Sequence, residues 1–201
     1  MAPRRRSVVA ELTQKERTRA RILHEAAGAI REQGVEGVGV ASLMKRAGLT
    51  HGGFYAHFAN RDDLVANAVE HMFRESADLL NRHLDHEDPA EGLRATIDYY
   101  LSEEARKRPS AGCPLPSLSG EAARMPDAAR QRFSQGIVSF RRALERAISA
   151  TGVENAAEVA ASVLAELVGS MALARALDDV TSASMLDASR KQLKRRLALS
   201  D

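Results

Sequence analysis

The sequence predicts an all-α protein: an N-terminal three-helix head of helix-turn-helix type, then a larger helical body, about nine helices in all. Three observations carry this. Alanine, leucine, arginine and glutamate dominate, aromatic residues make up 4% of the chain and tryptophan is absent, a composition that favours helices over sheets. Apolar residues recur at three- and four-residue spacing along most of the chain. Capping residues precede these stretches and glycine or proline comes after them, as helix starts and stops require. No convincing strand, internal repeat or low-complexity segment emerges.

The elements are taken in chain order. Residues 1–12 hold Arg4-Arg5-Arg6 without periodicity and read as a disordered basic arm. Thr13 caps a helix to about residue 33, with Ile22, Leu23, Ala26, Ala27 and Ile30 on one face and Gly34 as its stop. Two short helices come next, at about 41–47 and 51–57. Asn60 caps a long helix to about residue 84, burying Leu64, Val65, Ala68, Val69, Met72, Phe73, Leu79 and Leu80 and joining a head (13–60) to a body (61–201). Asp88-Pro89 opens a helix to about 107, through Leu93, Ile97, Tyr100 and Leu101. Residues 108–120, rich in Pro, Ser and Gly, read as a loop, with a short helix near 117–124 ending before Pro126. Asp127 caps a helix over 128–150, with Phe133, Ile137, Phe140, Leu144 and Ile148. Gly152 separates it from one over 154–177, and Thr181 or Ser182 starts the last, to about 197.

The most informative text is Leu43-Met44-Lys45-Arg46-Ala47-Gly48-Leu49 and then Thr50-His51-Gly52-Gly53-Phe54-Tyr55-Ala56-His57-Phe58. Leu43, Met44 and Ala47 give the first short helix an apolar side. Gly48 stands where that helix stops, since glycine accepts the left-handed backbone of a helix end. Leu49 plugs the turn and Thr50 is suited to cap the second helix. Two glycines at the start of that helix let its backbone approach another surface closely. Tyr55 and His57 sit as polar groups beside the buried Phe54 and Phe58. Such a helix on a compact apolar base suits the major groove of DNA.

This segment resembles the DNA-binding domain of the TetR/AcrR family of transcriptional regulators. The resemblance covers roughly residues 15–65 and rests on Ala47-Gly48-Leu49, Thr50, Phe54-Tyr55-Ala56-His57-Phe58 and Arg61-Asp62-Asp63-Leu64. Arg61 replaces the usual lysine and keeps its charge. Val38-Gly39-Val40 replaces the usual Thr-Thr-Val entry to the second helix, and with it a threonine hydroxyl for phosphate. In this framework Tyr55 and His57 are expected at phosphates, and Thr50, His51 and the backbone of Gly52 and Gly53 near base edges. Lys45 and Arg61 are expected to add charge for phosphates. Arg4, Arg5 and Arg6 either enter a minor groove or form a solvated tail. The body resembles the family in length and helical pattern only.

Charge agrees with this placement. The net charge of +2 divides into +6 over residues 1–61, with eleven basic and five acidic residues, and −4 over the remainder. A basic head on a mildly acidic body is the footprint of a protein that touches phosphates with one end. Charges interrupt the longest apolar stretches well before membrane-spanning length, so no transmembrane helix is expected. The basic N-terminus has no apolar run behind it and does not read as a secretory signal. One cysteine excludes an internal disulfide framework and fits a reducing cytoplasm.

In the body, Tyr99, Tyr100, Cys113, Met125, Phe133 and Phe140 are candidates for a small-molecule pocket, or for plain core, Met171 being read the same way; the resemblance favours the pocket. Cys113 lies in a Gly-Cys-Pro loop after Arg106-Lys107-Arg108, which would favour a thiolate. It is either packing or a sensor of oxidants or electrophiles, as the resemblance allows. His83 and His86 with Asp85, Glu87 and Asp88 look superficially like a metal cluster but end a solvent-facing helix, so no metal or other cofactor is expected. Val159, Val163, Leu164, Leu167, Val168 and Met171, with Ala156, Ala160 and Ala172 between, make an apolar face wider than one core needs. The resemblance makes Val159, Val163, Leu164, Leu167 and Met171 the seam of a homodimer built on a four-helix bundle; the alternative is a buried core within one protomer.

Together these features raise the expectation of a ligand-responsive repressor, a dimer on a pseudo-palindromic operator in double-stranded DNA, released by a small-molecule or electrophilic effector. An all-α enzyme is the competing class, although no Ser-His-Asp, Cys-His or carboxylate pair stands out. A protein binding DNA without sequence preference is the third reading.

Overall fold

The computed structural model describes residues 13–199, and among them the chain forms nine α-helices and three short 3-10 helices with no strand. The arm carrying Arg4, Arg5 and Arg6 lies outside the described residues. In the head, α1 spans Gln14–Gln33 and α2 spans Val40–Arg46, with a 3-10 helix after them at His51–Ala56. Thr13 starts α1 through a reciprocal capping box: its hydroxyl accepts the Glu16 N–H at 3.2 Å, and the Glu16 carboxylate accepts the Thr13 N–H at 2.7 Å. Asn60 caps α3, Arg61–Leu84, by accepting the Asp63 N–H at 2.9 Å.

The body comprises α4 (Pro89–Tyr100), α5 (Glu103–Lys107), α6 (Leu115–Leu118), α7 (Asp127–Ala150), α8 (Ala156–Ala174) and α9 (Asp179–Arg196). The single helix expected over 89–107 is broken at Leu101. The Ser102 hydroxyl accepts the Ala105 N–H at 3.0 Å and so restarts the chain as α5. The expected loop at 108–120 is mostly short helical turns, at Pro109–Ala111, Leu115–Leu118 and Ser119–Arg124. Proline in a first helical turn sacrifices no hydrogen bond, so a proline-rich stretch does not forbid them. α9 begins earlier than Thr181 because Asp178 accepts the N–H groups of both Val180 and Thr181 at 3.0 Å.

One connected core runs through the described residues. It passes from Ile22, Met44 and Phe58 in the head, along Leu64, Val69 and Met72 of α3, to Leu93, Phe133, Leu144, Leu167 and Leu193 in the body. α3 packs on α1 at one end and on α4 and α7 at the other; α7 packs on α8, and α8 on α9. Two polar latches reinforce this. The buried Arg31 of α1 donates to the Ser110 carbonyl at 3.0 Å, to the Met72 carbonyl at 3.3 Å and to the Glu75 carboxylate at 2.9 Å. The Glu121 carboxylate accepts the Val35 N–H at 2.9 Å.

The predicted dimer seam needs correction. Val163, Leu167 and Met171 are 1%, 0% and 1% exposed within a single protomer, so they belong to its own core; Leu164 is 7% exposed and also borders an outer groove, and Val159 is half-buried. The stripe through Ala160, Val163, Leu164, Leu167, Met171 and Ala174 faces inward, whereas Ala157, Ala161 and Ala165 lie outside. A pattern at helical spacing identifies the apolar face without saying which apolar face the protomer keeps. By length and composition alone the 19 residues of α8 would also pass as a membrane-spanning segment, 28% of it buried, but it carries Glu158 and Glu166 and packs between α7 and α9.

Candidate nucleic-acid interface and an adjoining cavity

α2 ends in a Schellman motif. The Leu49 N–H donates to the Met44 carbonyl at 2.8 Å and the Gly48 N–H to the Lys45 carbonyl at 3.0 Å, with Gly48 at φ +68°. That conformation costs an L-residue with a Cβ about 1–2 kcal/mol. The turn delivers Thr50 in extended geometry and the chain then winds as a 3-10 helix, not the expected α-helix. Two adjacent glycines in six residues disfavour an α-helical turn, and short 3-10 pieces are common in such connections.

Phe54 and Phe58 anchor this helix, each 2% exposed, with ring centroids 5.7 Å apart. The opposite side is open. Tyr55 is 68% exposed, and its ring stands edge-on to Phe54 and His51. Lys45, Thr50, His51 and Gly52 are exposed, and Gly53 is half-buried. The Thr50 side chain makes no capping hydrogen bond, contrary to expectation, so its hydroxyl is not committed to the helix start. A Cβ added at Gly52 would meet nothing within 4 Å.

Two expected phosphate contacts sit differently. Arg61 is turned inward: its guanidinium donates to the Val35 and Val38 carbonyls and pairs with Glu36 at 3.7 Å. It staples the α1–α2 connection, so the charge match to the usual lysine conceals a structural duty. His57 is half-buried with Nδ1 unsatisfied. Burial, then Lys15 and Arg19, hold its pKa below the usual histidine value, so it is neutral near pH 7. Those two cations are side chains that the sequence motif did not reveal. Arg19 lies over the Phe58 ring at 4.9 Å and donates to Asn67 Oδ1 at 2.9 Å, and Lys15 is exposed on the first turn of α1.

In the body, a narrow, mainly apolar cavity of about 40 Å³ lies between α3, α4, α7 and the segments at 105, 112–116 and 171–175. Tyr99, Tyr100, Cys113 and Phe140 are among its lining residues, together with Met171 and with Leu79, Leu80 and His83 of α3. Met125 and Phe133 do not: they are 5% and 2% exposed in the core, where Phe133 packs edge-on against Phe73 at 5.4 Å. Burial, then the adjacent Cys113 thiol, push the Tyr100 hydroxyl well above its usual pKa, and no well-aligned hydrogen bond satisfies it. Arg175, which the sequence did not single out, also reaches the cavity. It donates to the Ser117 hydroxyl at 2.9 Å and the Ala105 carbonyl at 3.3 Å, while its buried Nε has no partner.

Cys113 corrects an expectation. Burial raises its pKa instead of activating the thiol. The basic run invoked to activate it is neutralised elsewhere: Arg106 pairs with Glu103 and Asp179, Lys107 with Glu103, and Arg108 with Glu104. A second departure concerns histidines. His24, His71 and Glu75 converge at the junction of α1 and α3, a grouping invisible along the sequence because 47 residues separate the two histidines.

A helix-turn-helix presented on an exposed, basic head, in one core with a helical cavity-bearing body, defines a DNA-binding transcriptional regulator. The chain belongs to the TetR family. Residues 22–68 match the family described as bacterial regulatory proteins, tetR family, and residues 89–191 match the tetracyclin repressor-like C-terminal domain. It is 29% identical over 189 residues to an uncharacterised HTH-type transcriptional regulator of Mycobacterium tuberculosis, covering 89% of this chain and 93% of that protein. The HTH-type regulator YxaF of Bacillus subtilis is 25% identical over 162 residues, with 80% and 83% covered. Among solved structures, a TetR-family regulator from Cytophaga hutchinsonii superposes with a TM-score of 0.81 at 23% identity, covering 94% and 97% of the two chains. The reduced form of NemR from E. coli superposes at 0.80 with 18% identity, covering 89% and 96%.

Proposed function

We propose that the chain is a homodimeric repressor, acting in the cytoplasm, that leaves a pseudo-palindromic operator when a small molecule fills the body cavity. The observation that carries this is α3. Its first turns pack in the head, where Asn67 accepts from Arg19, and its later residues Ser76, Leu79, Leu80 and His83 form a wall of the cavity. A helix of this length spans about 36 Å and moves as a rod. Two heads reading successive major grooves must sit about 34–36 Å apart. A ligand that displaces the cavity end of α3 changes that separation, and ligand and DNA then oppose each other through one coupling free energy.

On the DNA side, Thr50, His51 and the Gly52-Gly53 backbone face base edges, Tyr55 and the neutral His57 donate to phosphates, and Lys45, Lys15 and Arg19 supply charge. Arg61 supports this surface from behind. On the ligand side, the apolar and aromatic walls with the unsatisfied Tyr100 hydroxyl and Arg175 Nε suit a small aromatic acid held non-covalently. The raised thiol pKa argues against electrophile capture at Cys113 as the trigger. The dimer seam runs along the outer face of α7 and α8, where Ile137, Ala161, Leu164, Ala165 and Val168 border one shallow apolar groove.

The test of the ligand reading is thermal: small aromatic carboxylates raise Tm, their amides do so less, and Arg175→Met abolishes the difference. An equal response in wild type and Arg175→Met rejects it. For the seam, Val168→Asp yields a folded monomer by light scattering; an intact dimer moves the seam elsewhere.

A further inference from the structure

We propose that His24, His71 and Glu75 form a site for a borderline divalent cation of the zinc type, fastening the DNA-binding head to α3. This goes beyond the ligand response and does not depend on it. The three donor atoms all lie within 4.8 Å of one another. His24 Nδ1 is 3.5 Å and His71 Nε2 is 3.1 Å from the same oxygen, Glu75 Oε1. Ligand bonds of about 2.0–2.1 Å in tetrahedral geometry place neighbouring donors about 3.3 Å apart. Two of the three edges are therefore at metal-site spacing already. The third closes by rotation of His24, whose side chain is 74% exposed.

The surroundings hold the donors in place. His71 and Glu75 are one turn apart on a single face of α3. The other carboxylate oxygen, Oε2, accepts from the buried Arg31 guanidinium at 2.9 Å, and Arg31 is itself fixed by the carbonyls of Met72 and Ser110. Glu75 is thus oriented with Oε1 turned to the two imidazoles, the kind of outer support that metal-binding carboxylates receive. The positive charge of Arg31 opposes a cation, and its commitment to Oε2 limits that cost. His71 Nε2 is buried and, despite its 3.1 Å approach to Oε1, makes no aligned hydrogen bond. A simple histidine–carboxylate pair would point an N–H along that line. Lone pairs converging on a common centre would not. The cleft beside the site, bordered by Gly28, Asp78 and Arg82, gives solvent access and leaves room for water as a further ligand.

Two imidazoles and one carboxylate suit Zn²⁺, Co²⁺, Ni²⁺ or Cu²⁺ over Mg²⁺ or Ca²⁺. Because one ligand is on α1 and two are on α3, an occupied site fixes the angle between them.

The experiment uses tag-free full-length protein, stripped with a chelator and titrated with Co²⁺. Expected are one Co²⁺ per protomer with visible d–d absorption, displacement by Zn²⁺, and a Tm higher by several degrees at about a hundredfold excess over Kd. His24→Ala removes an exposed side chain and is expected to fold as wild type by circular dichroism, yet to bind Co²⁺ at least about tenfold more weakly. His71→Ala behaves likewise. No saturable binding at micromolar Co²⁺ or Zn²⁺ overturns the proposal. So does binding that His24→Ala and His71→Ala leave unchanged.

Discussion

The head and the body are built from the same kind of helix and differ in the range over which their instructions act. In the head, the turn between α2 and the 51–56 helix is specified within about fifteen residues: an apolar side, a glycine at φ +68°, a plug at Leu49 and two buried phenylalanines. In the body, the cavity draws its walls from α3, α4, α7, α8 and the segments between α5 and α6. Local signals establish the first; only the assembled core establishes the second. The head therefore displays its turn in the sequence, and the body conceals its cavity.

The largest effect is expected where the two regions are joined. Arg31→Met removes the buried guanidinium that bridges α1, α3 and the carbonyl of Ser110 and leaves Glu75 and two carbonyls without it. A loss of about 3 kcal/mol in urea unfolding is expected, with head and body still melting in one transition. A head that melts alone while the body signal persists would break the picture of one continuous core. Gly48→Ala comes next, at about 1–2 kcal/mol, because the Cβ meets nothing within 4 Å and only the positive φ is penalised. That corresponds to a Tm lower by about 2–8 °C for a chain of this size.

Substitutions at three further positions separate binding from stability. Tyr55→Ala, at an exposed residue, leaves Tm within about a degree or two and, on the proposed phosphate contact, weakens all DNA sequences about tenfold, since such a contact carries no base information. Tyr55→Phe, which keeps the ring, tells the hydroxyl's share from the packing on Phe54 and His51. Gly52→Ala is a sharper comparison: the free protein accommodates the methyl group without contact, so a severalfold loss of operator affinity at constant Tm reports close approach of backbone to DNA. Unchanged affinity places the interface elsewhere. Smallest is Lys45→Ala, expected to reduce the slope of log affinity against log salt by about one.

The same division governs what the sequence reveals and what it hides. The Thr13 cap, the Asn60 cap and the Gly48 stop are readable because each is a bond between residues three to five apart. Arg61 is misread from sequence because its partners, the carbonyls of Val35 and Val38, lie across a turn. The seam at Val163, Leu167 and Met171 is misplaced because a helix that is apolar nearly all round offers periodicity no means of ranking its faces. Met125 and Phe133 are as aromatic or soft as the true cavity residues, and Arg175 and the His24–His71–Glu75 group become visible only when distant turns meet.

The proposed regulation requires that the cavity and the DNA surface, which share α3, also share one coupling free energy. A reciprocal titration probes this without intermediaries, with an operator selected from random duplex DNA and an aromatic acid chosen by its Tm shift. The acid is expected to weaken operator binding, and the operator to weaken acid binding, by the same factor, in a range of about 5–150. An acid that binds the cavity with equal affinity whether or not the operator is present would contradict a shared coupling through α3.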